Sequence, residues 1–285
     1  MIILNILLLT ASAASNSAYD VISGFYNKKK ADPYKYCLCI AVAVLLFFLF
    51  TSGFNLNFKL ETLFWAILFG LCYFFTNVLY QASIRYGGVS LTALVMSYSL
   101  VIPTFFALIA YGEEPSWFFY LGLLFLFTSL FFIGVPRKEN KQPVKLIWFV
   151  IVGLGTLANG GCALFFSHYQ RLSGGNYGAE FMIIGMAIVI VLMTITILLN
   201  KKTTYEAKGS RAFLGLLAGG LNGLLHLINI ELLKRMSASL IYPITSSIFM
   251  LITVIASRIF FKEKPDKLGQ FAVIFGIISV VLLNL

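Results

Sequence analysis

The residues Tyr111–Phe118 read YGEEPSWF and the residues Phe261–Lys267 read FKEKPDK, and each stretch separates two long apolar segments. In both, a glutamate is followed by one residue and then by a proline. Proline disfavours helix at the preceding residue and fits the first turn of the next helix, where a carboxylate complements the helix dipole. The two stretches therefore predict the same corner, the start of a helix, at matching places in two copies of one unit.

The composition assigns the chain to a membrane. Hydrophobic residues make up 60% of the 285 residues, charged residues only 11%, and the mean hydropathy is +0.92. A helix that crosses a bilayer needs about 20 apolar residues. The sequence predicts an all-α integral membrane protein with ten transmembrane helices, at residues 2–25, 36–53, 62–84, 89–111, 116–135, 144–168, 179–200, 212–233, 238–261 and 268–285.

The first segment, residues 2–25, includes a small-residue run, ASAAS, that resembles a signal-peptide cleavage site. It lacks the basic residues that begin a signal peptide, and apolar character resumes at Tyr19–Phe25. We expect it to be the first membrane helix. The four cysteines lie in or beside apolar segments without C-x-x-C spacing, so we expect them to pack and no metal or cofactor to be bound.

The chain also resembles itself. A shift of 150 residues superposes Gly70 on Gly220, Arg85 on Arg235, Ser97 on Ser247, Glu113 on Glu263 and Pro115 on Pro265. The rare residues Arg, Glu and Pro, which keep register across three helices, are the informative ones. A shift near 143 superposes Asn16 on Asn159, Tyr26 on Tyr169 and Lys28 on Arg171. We predict two five-helix repeats, residues 1–140 and 141–285. Because five is odd, the second repeat is inverted in the membrane, as in many secondary transporters.

The helix order, with an acid–x–proline turn before the last helix of each half, resembles the EamA type of the drug/metabolite transporter superfamily over essentially the whole chain. The Gly-Glu of the family's turn is kept at Gly112–Glu113 and replaced at Lys262–Glu263. The resemblance also implies a proline in helices 4 and 9. Pro103 and Pro243 are these prolines, but they lie at different depths within their two helices. The resemblance implies a ten-helix transporter whose central cavity is lined by helices 1, 3, 4, 6, 8 and 9.

Basic residues are distributed unevenly between the two membrane faces. Seventeen of the 21 lie on one face, and four (Lys59, Arg171, Lys234 and Arg235) lie on the other. These basic residues lie in short segments that flank membrane helices, so the net charge of +10 indicates no nucleic acid partner. The positive-inside rule places both termini outside, whereas the family resemblance implies both termini in the cytoplasm. We expect a multi-pass protein of a bacterial plasma (inner) membrane, in contact with lipid, as a monomer or a homodimer.

Polar residues within apolar segments indicate a cavity, because a polar side chain is costly in hydrocarbon unless it faces a cavity or a partner helix. Helices 1, 3, 6, 8 and 9 have such residues, whereas helices 2, 5, 7 and 10 are almost uniformly apolar and are expected to face lipid. The candidate substrate-binding residues are Asn16, Tyr19, Asp20, Asn77, Gln81, Asn159, His226, Asn229 and Tyr242. The alternative for each is an interhelical hydrogen bond without a transport role.

Three residues are candidates for proton coupling: His226, Glu231 and Asp20. Imidazole titrates near physiological pH, which would suit a proton carrier at His226. The alternative for His226 is a neutral histidine bonded to a neighbouring helix. Asp20 and Glu231 lie near helix ends and could simply reach water.

Two further patterns concern packing. Gly215, Gly219 and Gly223 are four residues apart, which predicts a face where another helix approaches closely. Trp117, Trp148 and Tyr120 flank apolar segments, as aromatic residues at the membrane interface do.

These features predict a secondary active transporter, not an enzyme. It would bind a small polar or zwitterionic, amino-acid-like metabolite between the repeats and transport it by alternating access. No lysine or arginine lies near mid-membrane, which disfavours a phosphorylated substrate. The alternatives are a quaternary-amine, choline-like cation or drug, for which Asp20 and Tyr19 would supply a cation–π site, or a channel or non-transporting membrane protein. The GEEP stretch lacks the arginine that membrane-embedded CAAX-type proteases place four residues after the second glutamate, since Phe118 stands there.

Overall fold

A computed structural model describes residues 2–28, 32–110, 116–134, 146–199, 209–236, 238–262 and 267–282. Over these ranges every regular element is a helix. There are ten α-helices: α1 (Ile2–Lys28), α2 (Pro33–Thr51), α3 (Leu60–Ser97), α4 (Val101–Ala110), α5 (Trp117–Gly134), α6 (Leu146–Leu172), α7 (Gly178–Leu199), α8 (Gly209–Leu233), α9 (Ala238–Phe261) and α10 (Lys267–Leu282). The two acid–x–proline turns and the predicted boundary after residue 140 lie outside the described residues.

The helices have the length and composition of membrane spans. Six stretches in the described ranges are long and apolar enough to cross a bilayer: Pro33–Thr51, Leu60–Val89, Leu146–Leu172, Gly178–Leu199, Ala212–Leu233 and Ile244–Phe261. Shorter apolar helices, such as Trp117–Ser129 and Lys267–Ser279, accompany them. The all-α membrane fold predicted from the apolar segments is confirmed.

The predicted break between the third and fourth helices, between residues 84 and 89, is present as a kink without a loop. α3 spans Leu60–Ser97 as two helices that meet at Gly88, where φ is 78° and ψ is 175°. Glycine adopts this positive φ readily because it lacks a Cβ atom. A short 3-10 turn, Tyr98–Leu100, then leads into α4.

The helix contacts repeat when each helix is exchanged for the one five places further along the chain. α3 packs against α6 as α1 packs against α8, and α3 packs against α7 as α8 packs against α2. The contact of α1 with α9 corresponds to that of α6 with α4. α2 packs against α7, and α5 packs against α10. In both pairs the two helices are five places apart, so each helix packs against its own counterpart. This pattern is the one expected of two related five-helix units.

Aromatic stacking reproduces one predicted superposition at the level of side chains. Tyr26 of α1 stacks on Tyr36 of α2, with ring centroids 4.1 Å apart. Tyr169 of α6 stacks on Phe181 of α7 at 4.9 Å. Tyr26 and Tyr169 are the pair superposed by the shift of 143 residues, and each stacks on an aromatic ring of the next helix along the chain.

Glycine contacts give a second correspondence between the halves. A Cβ atom on Gly70 of α3 would lie 2.8 Å from the Gly185 carbonyl oxygen of α7. A Cβ atom on Gly219 of α8 would lie 2.6 Å from the Ile40 carbonyl oxygen of α2. The contact of Gly219 thus resembles that of Gly70, whereas a Cβ atom on Gly220, the residue superposed by the shift of 150, has no heavy atom within 4 Å.

The predicted close approach at the glycines of α8 is confirmed. Cβ atoms on Gly215, Gly219 and Gly223 would meet α2 at 2.6, 2.5 and 2.8 Å. We expect the apolar helices α2 and α7 to face lipid, and exposed residues such as Phe50 and Leu198 agree with that expectation. Both helices also have buried faces, with which they pack against each other and against α8 and α3. An apolar side chain packs equally well on lipid and on another helix, so composition alone does not separate the two.

Trp148 is also placed differently from the prediction. Its side chain is fully buried, lies against Gly87 and donates a hydrogen bond from Nε1 to the Ser83 carbonyl oxygen at 3.1 Å. It therefore holds α6 against α3 instead of lying at the interface. Trp117 and Tyr120 are exposed, as interfacial residues are.

Candidate functional site

A cavity of about 210 Å³ lies at the centre of the bundle. Its walls come from both halves of the chain: α1, α3 and the 3-10 turn from the first half, and α6, α8 and α9 from the second. Eight residues predicted as candidates line it: Asn16, Tyr19, Asp20, Asn77, Asn159, His226, Asn229 and Tyr242. The structure thus brings together side chains that lie far apart in sequence, and their part in binding a substrate stays a prediction.

One end of the cavity is formed by α1 and α3. The Tyr19 hydroxyl donates a hydrogen bond to Asn77 Oδ1 at 3.0 Å, and Asn77 is held in turn because its amide donates to the Tyr73 carbonyl oxygen at 2.9 Å. The Tyr80 hydroxyl donates to Asp20 Oδ1. Tyr19 and Tyr80 stack with centroids 6.3 Å apart. We call Tyr19, Asp20 and Tyr80 the acid end of the cavity.

Gln81 is the one candidate substrate-binding residue that does not line the cavity. It is fully buried beyond the acid end, where the Asn27 amide donates a hydrogen bond to its Oε1. Arg85 Nε donates to Asn27 Oδ1 at 2.8 Å. These bonds join α1 to α3 below Asp20, so Gln81 contributes to closing the bundle.

Hydrogen bonds also cross between the two halves. The Tyr73 hydroxyl of α3 donates to Asn222 Oδ1 of α8 at 2.6 Å. The Ser12 hydroxyl of α1 donates to Asn229 Oδ1 of α8 at 2.8 Å. These bonds fix the amide orientations of the two asparagines, with both amide oxygens facing the first half.

The 3-10 turn before α4 brings the backbone to the cavity wall. Pro103 has no N–H to donate to the Ser99 carbonyl oxygen, so the helical bond at that position is lost. A Cβ atom on Gly160 would lie 2.7 Å from this carbonyl oxygen, which explains why α6 has a glycine there. On the neighbouring residue, the Asn159 amide donates to Ser99 Oγ at 2.8 Å.

The other end of the cavity is aromatic. Phe69 and Tyr73 of α3, Phe166 of α6 and His226 of α8 line it together. The His226 ring centroid lies 5.5 Å from that of Phe166 and 6.1 Å from those of Phe69 and Tyr73. We call Phe69, Tyr73 and Phe166 the aromatic end.

The three proton-coupling candidates lie in different surroundings. Asp20 and His226 line the cavity, and both Asp20 Oδ2 and His226 Nδ1 are buried without a hydrogen-bond partner among the described residues. Glu231 lies outside the cavity lining and forms ion pairs with Arg235 at 2.6 Å and Lys234 at 3.7 Å. Its surroundings are those of a partly exposed charge at the end of α8.

Several lining residues were not among the sequence candidates: Phe69, Tyr73, Thr76, Tyr80, Phe166 and Asn222. A signal for three of them was present. Asn222 lies four residues before His226 and seven before Asn229. Tyr73, Asn77 and Tyr80 follow i, i+4, i+7 spacing and therefore share one helix face. No sequence signal distinguishes Phe69 and Phe166 from lipid-facing phenylalanines.

Comparison with known proteins supports the family inferred from the sequence. The model of the EamA-like transporter family matches residues 3–135, which span α1 to α5. The match confirms the predicted resemblance and supports a membrane transporter of the drug/metabolite type. No curated protein matches the chain significantly in sequence.

The fold extends over both halves in solved structures as well. One crystal structure of a protein superposes with a TM-score of 0.62 at 13% sequence identity, over 97% of this chain and 94% of the other. At that identity the similarity concerns the fold alone. It covers the second half, which the family match does not reach.

Proposed function

We propose, from the match of residues 3–135 to the model of the EamA-like transporter family, that this protein is a secondary transporter working by alternating access. A small polar organic solute would bind in the central cavity, and the two five-helix halves would move against each other to open it to either face. The observation that carries the proposal is the cavity itself. It is lined by residues of both halves and by many polar side chains within an otherwise apolar bundle.

The repeated packing supports movement between the halves. Corresponding contacts occur in both, such as the stacks at Tyr26 and Tyr169 and the glycine contacts at Gly70 and Gly219. Two similar units packed about one site can exchange their conformations and thereby reverse the side on which the site is open. The amino-acid-like substrate class inferred from the sequence is one candidate within this proposal.

Orientation is part of the same proposal. The excess of basic residues on one face favours both termini outside, in a bacterial plasma membrane. A reporter that is active only in the cytoplasm, fused to either end, should then give a weak signal from both fusions. Strong signals from both would place the termini inside.

The experiment begins with a thermal-shift screen of the purified full-length protein against small metabolites, since a ligand that binds the folded state raises the apparent melting temperature. Each stabilising solute is then tested for counterflow in proteoliposomes. When the vesicles are preloaded with an excess of unlabelled solute, a carrier transiently accumulates labelled solute that is added outside. A channel shows no such trans-stimulation, and that result would contradict alternating access.

A further inference from the structure

Asp20 is a buried carboxylate with half of its hydrogen-bonding capacity unused. Its side chain is 2% exposed, and Tyr80 donates to Oδ1 only. Oδ2 has no partner among the described residues. A buried carboxylate is costly unless a cation or a proton neutralises it and donors satisfy its oxygens. The cavity therefore lacks one donor at this point, and a bound ligand can supply it.

The charge of the cavity lining selects which ligand fits. Among the described residues that line it, Asp20 is the one carboxylate, and none is lysine or arginine. A zwitterion would pair its ammonium with Asp20 but leave its own carboxylate without a lysine or arginine partner. A neutral solute would leave the Asp20 carboxylate to be neutralised by a proton. A solute with one positive charge satisfies the site without leaving either group unpaired.

The rest of the cavity fits an apolar body. On α3, Tyr73 at the aromatic end and Tyr80 at the acid end are seven residues apart, or about 10 Å at the helical rise of about 1.5 Å per residue. Phe69 and Phe166 extend the aromatic end, with ring centroids 6.2 Å apart. A cavity of about 210 Å³ is smaller than typical drug sites, which occupy about 300–1,000 Å³.

We propose that the cavity binds a small organic monocation, with a primary or secondary ammonium group at Asp20 Oδ2 and an aryl or alkyl body against Phe69, Tyr73 and Phe166. This inference rests on the proposed function and names the substrate class of its central site. The ammonium donates the hydrogen bond that Asp20 lacks. The aromatic rings supply apolar surface and, close to the charge, cation–π attraction.

Three probes with one phenylethyl body test the charge rule on the unmodified protein: 2-phenylethylammonium, the neutral 2-phenylethanol and the zwitterion phenylalanine. In thermal-shift titrations of the full-length protein, we expect the ammonium compound to bind about tenfold or more tightly than either of the others, as the loss of one hydrogen bond to a charged group predicts. Equal or tighter binding of phenylalanine or phenylethanol would overturn the inference. So would equal stabilisation by sodium ions alone.

Asp20→Asn tests whether the Asp20 carboxylate is responsible for the preference for the ammonium compound. The change keeps the shape of the side chain and removes its charge, so the preference for the ammonium compound should disappear. Glu231→Gln removes the other carboxylate considered above, which lies outside the cavity, and should keep the preference. An Asp20→Asn protein that still prefers the ammonium compound would contradict the assignment, and if this variant does not fold, the three-probe comparison still decides.

Counterflow separates this inference from the proposed function. Trans-stimulation by phenylalanine or phenylethanol, without any by 2-phenylethylammonium, would refute the cation site and leave the transporter proposal intact. Binding of the ammonium compound without trans-stimulation by any solute would support the site and contradict alternating access.

Discussion

Tyr80 of α3 donates a hydrogen bond to the Asp20 carboxylate of α1 at the end of the central cavity. Both side chains are buried, and the bond links two helices that meet in the first half of the chain. Asp20 is thus held in one orientation, with Oδ1 bonded and Oδ2 without a partner in the part of the chain that the structure describes. The acid end is arranged before any ligand arrives, which lowers the ordering cost of binding.

Removal of the Tyr80 hydroxyl tests this arrangement. Tyr80→Phe should lower the apparent melting temperature of the ligand-free protein, because a hydrogen bond to a charged group contributes about 1.5–3 kcal/mol and its loss leaves a buried oxygen unsatisfied. Tyr86→Phe, on an exposed residue of the same helix, is the matched control and should have little effect. Equal shifts in the two variants would show that the Tyr80 bond is not stabilising.

Two adjacent glycines of α8 test the packing of the halves. Gly219→Ala would place a Cβ atom 2.5 Å from Ala43 Cβ, so α2 must move away, and overpacking of this kind costs about 1–3 kcal/mol. Gly220→Ala meets nothing within 4 Å and gains helix propensity. Thermal unfolding in detergent should therefore show Gly219→Ala destabilised and Gly220→Ala unchanged or slightly stabilised.

The reverse order would contradict the correspondence of Gly70 with Gly219. A parallel change at Gly70→Ala should resemble Gly219→Ala, because its Cβ atom would lie 2.8 Å from the Gly185 carbonyl oxygen. Since a backbone oxygen moves only with its helix, the α3–α7 contact must also open.

We expect the carboxylates of Asp20 and Glu231 to contribute differently to any pH dependence of uptake. Asp20 lines the cavity, whereas Glu231 is partly exposed and paired with Arg235 and Lys234. We expect Glu231→Gln to keep the pH profile of uptake into proteoliposomes and Asp20→Asn to flatten it. A profile that is flattened by His226→Gln but kept by Asp20→Asn would assign the proton to His226 instead.

The sequence predicted the parts of the site that differ from their surroundings. An asparagine or aspartate within an apolar segment is costly in lipid, so Asn16, Asn159 and Asp20 could be recognised without coordinates. Rare residues likewise predicted the repeat, through pairs such as Arg85 and Arg235.

Other features depend on helix packing, which periodicity does not determine. Gln81 shares a helix face with Asn77, yet the bond from Asn27 holds it outside the cavity. Trp148 resembles an interfacial residue until Gly87 of another helix leaves space for its ring. The phenylalanines of the aromatic end have the same composition as those that face lipid, and only the tertiary fold separates them.

The central claim, that solute crosses the membrane through this cavity, is tested most directly by counterflow of labelled 2-phenylethylammonium with one cavity wall changed. Ala163 of α6 lines the cavity, and Ala163→Phe would fill part of it. Leu157 lies on the same helix and is exposed on its outer surface, so Leu157→Phe is the matched control. We expect trans-stimulated accumulation in the wild-type protein and in Leu157→Phe, and its loss in Ala163→Phe protein that retains its fold by thermal unfolding. Undiminished trans-stimulation in Ala163→Phe, or none in the wild-type protein with any bound solute, would contradict the account.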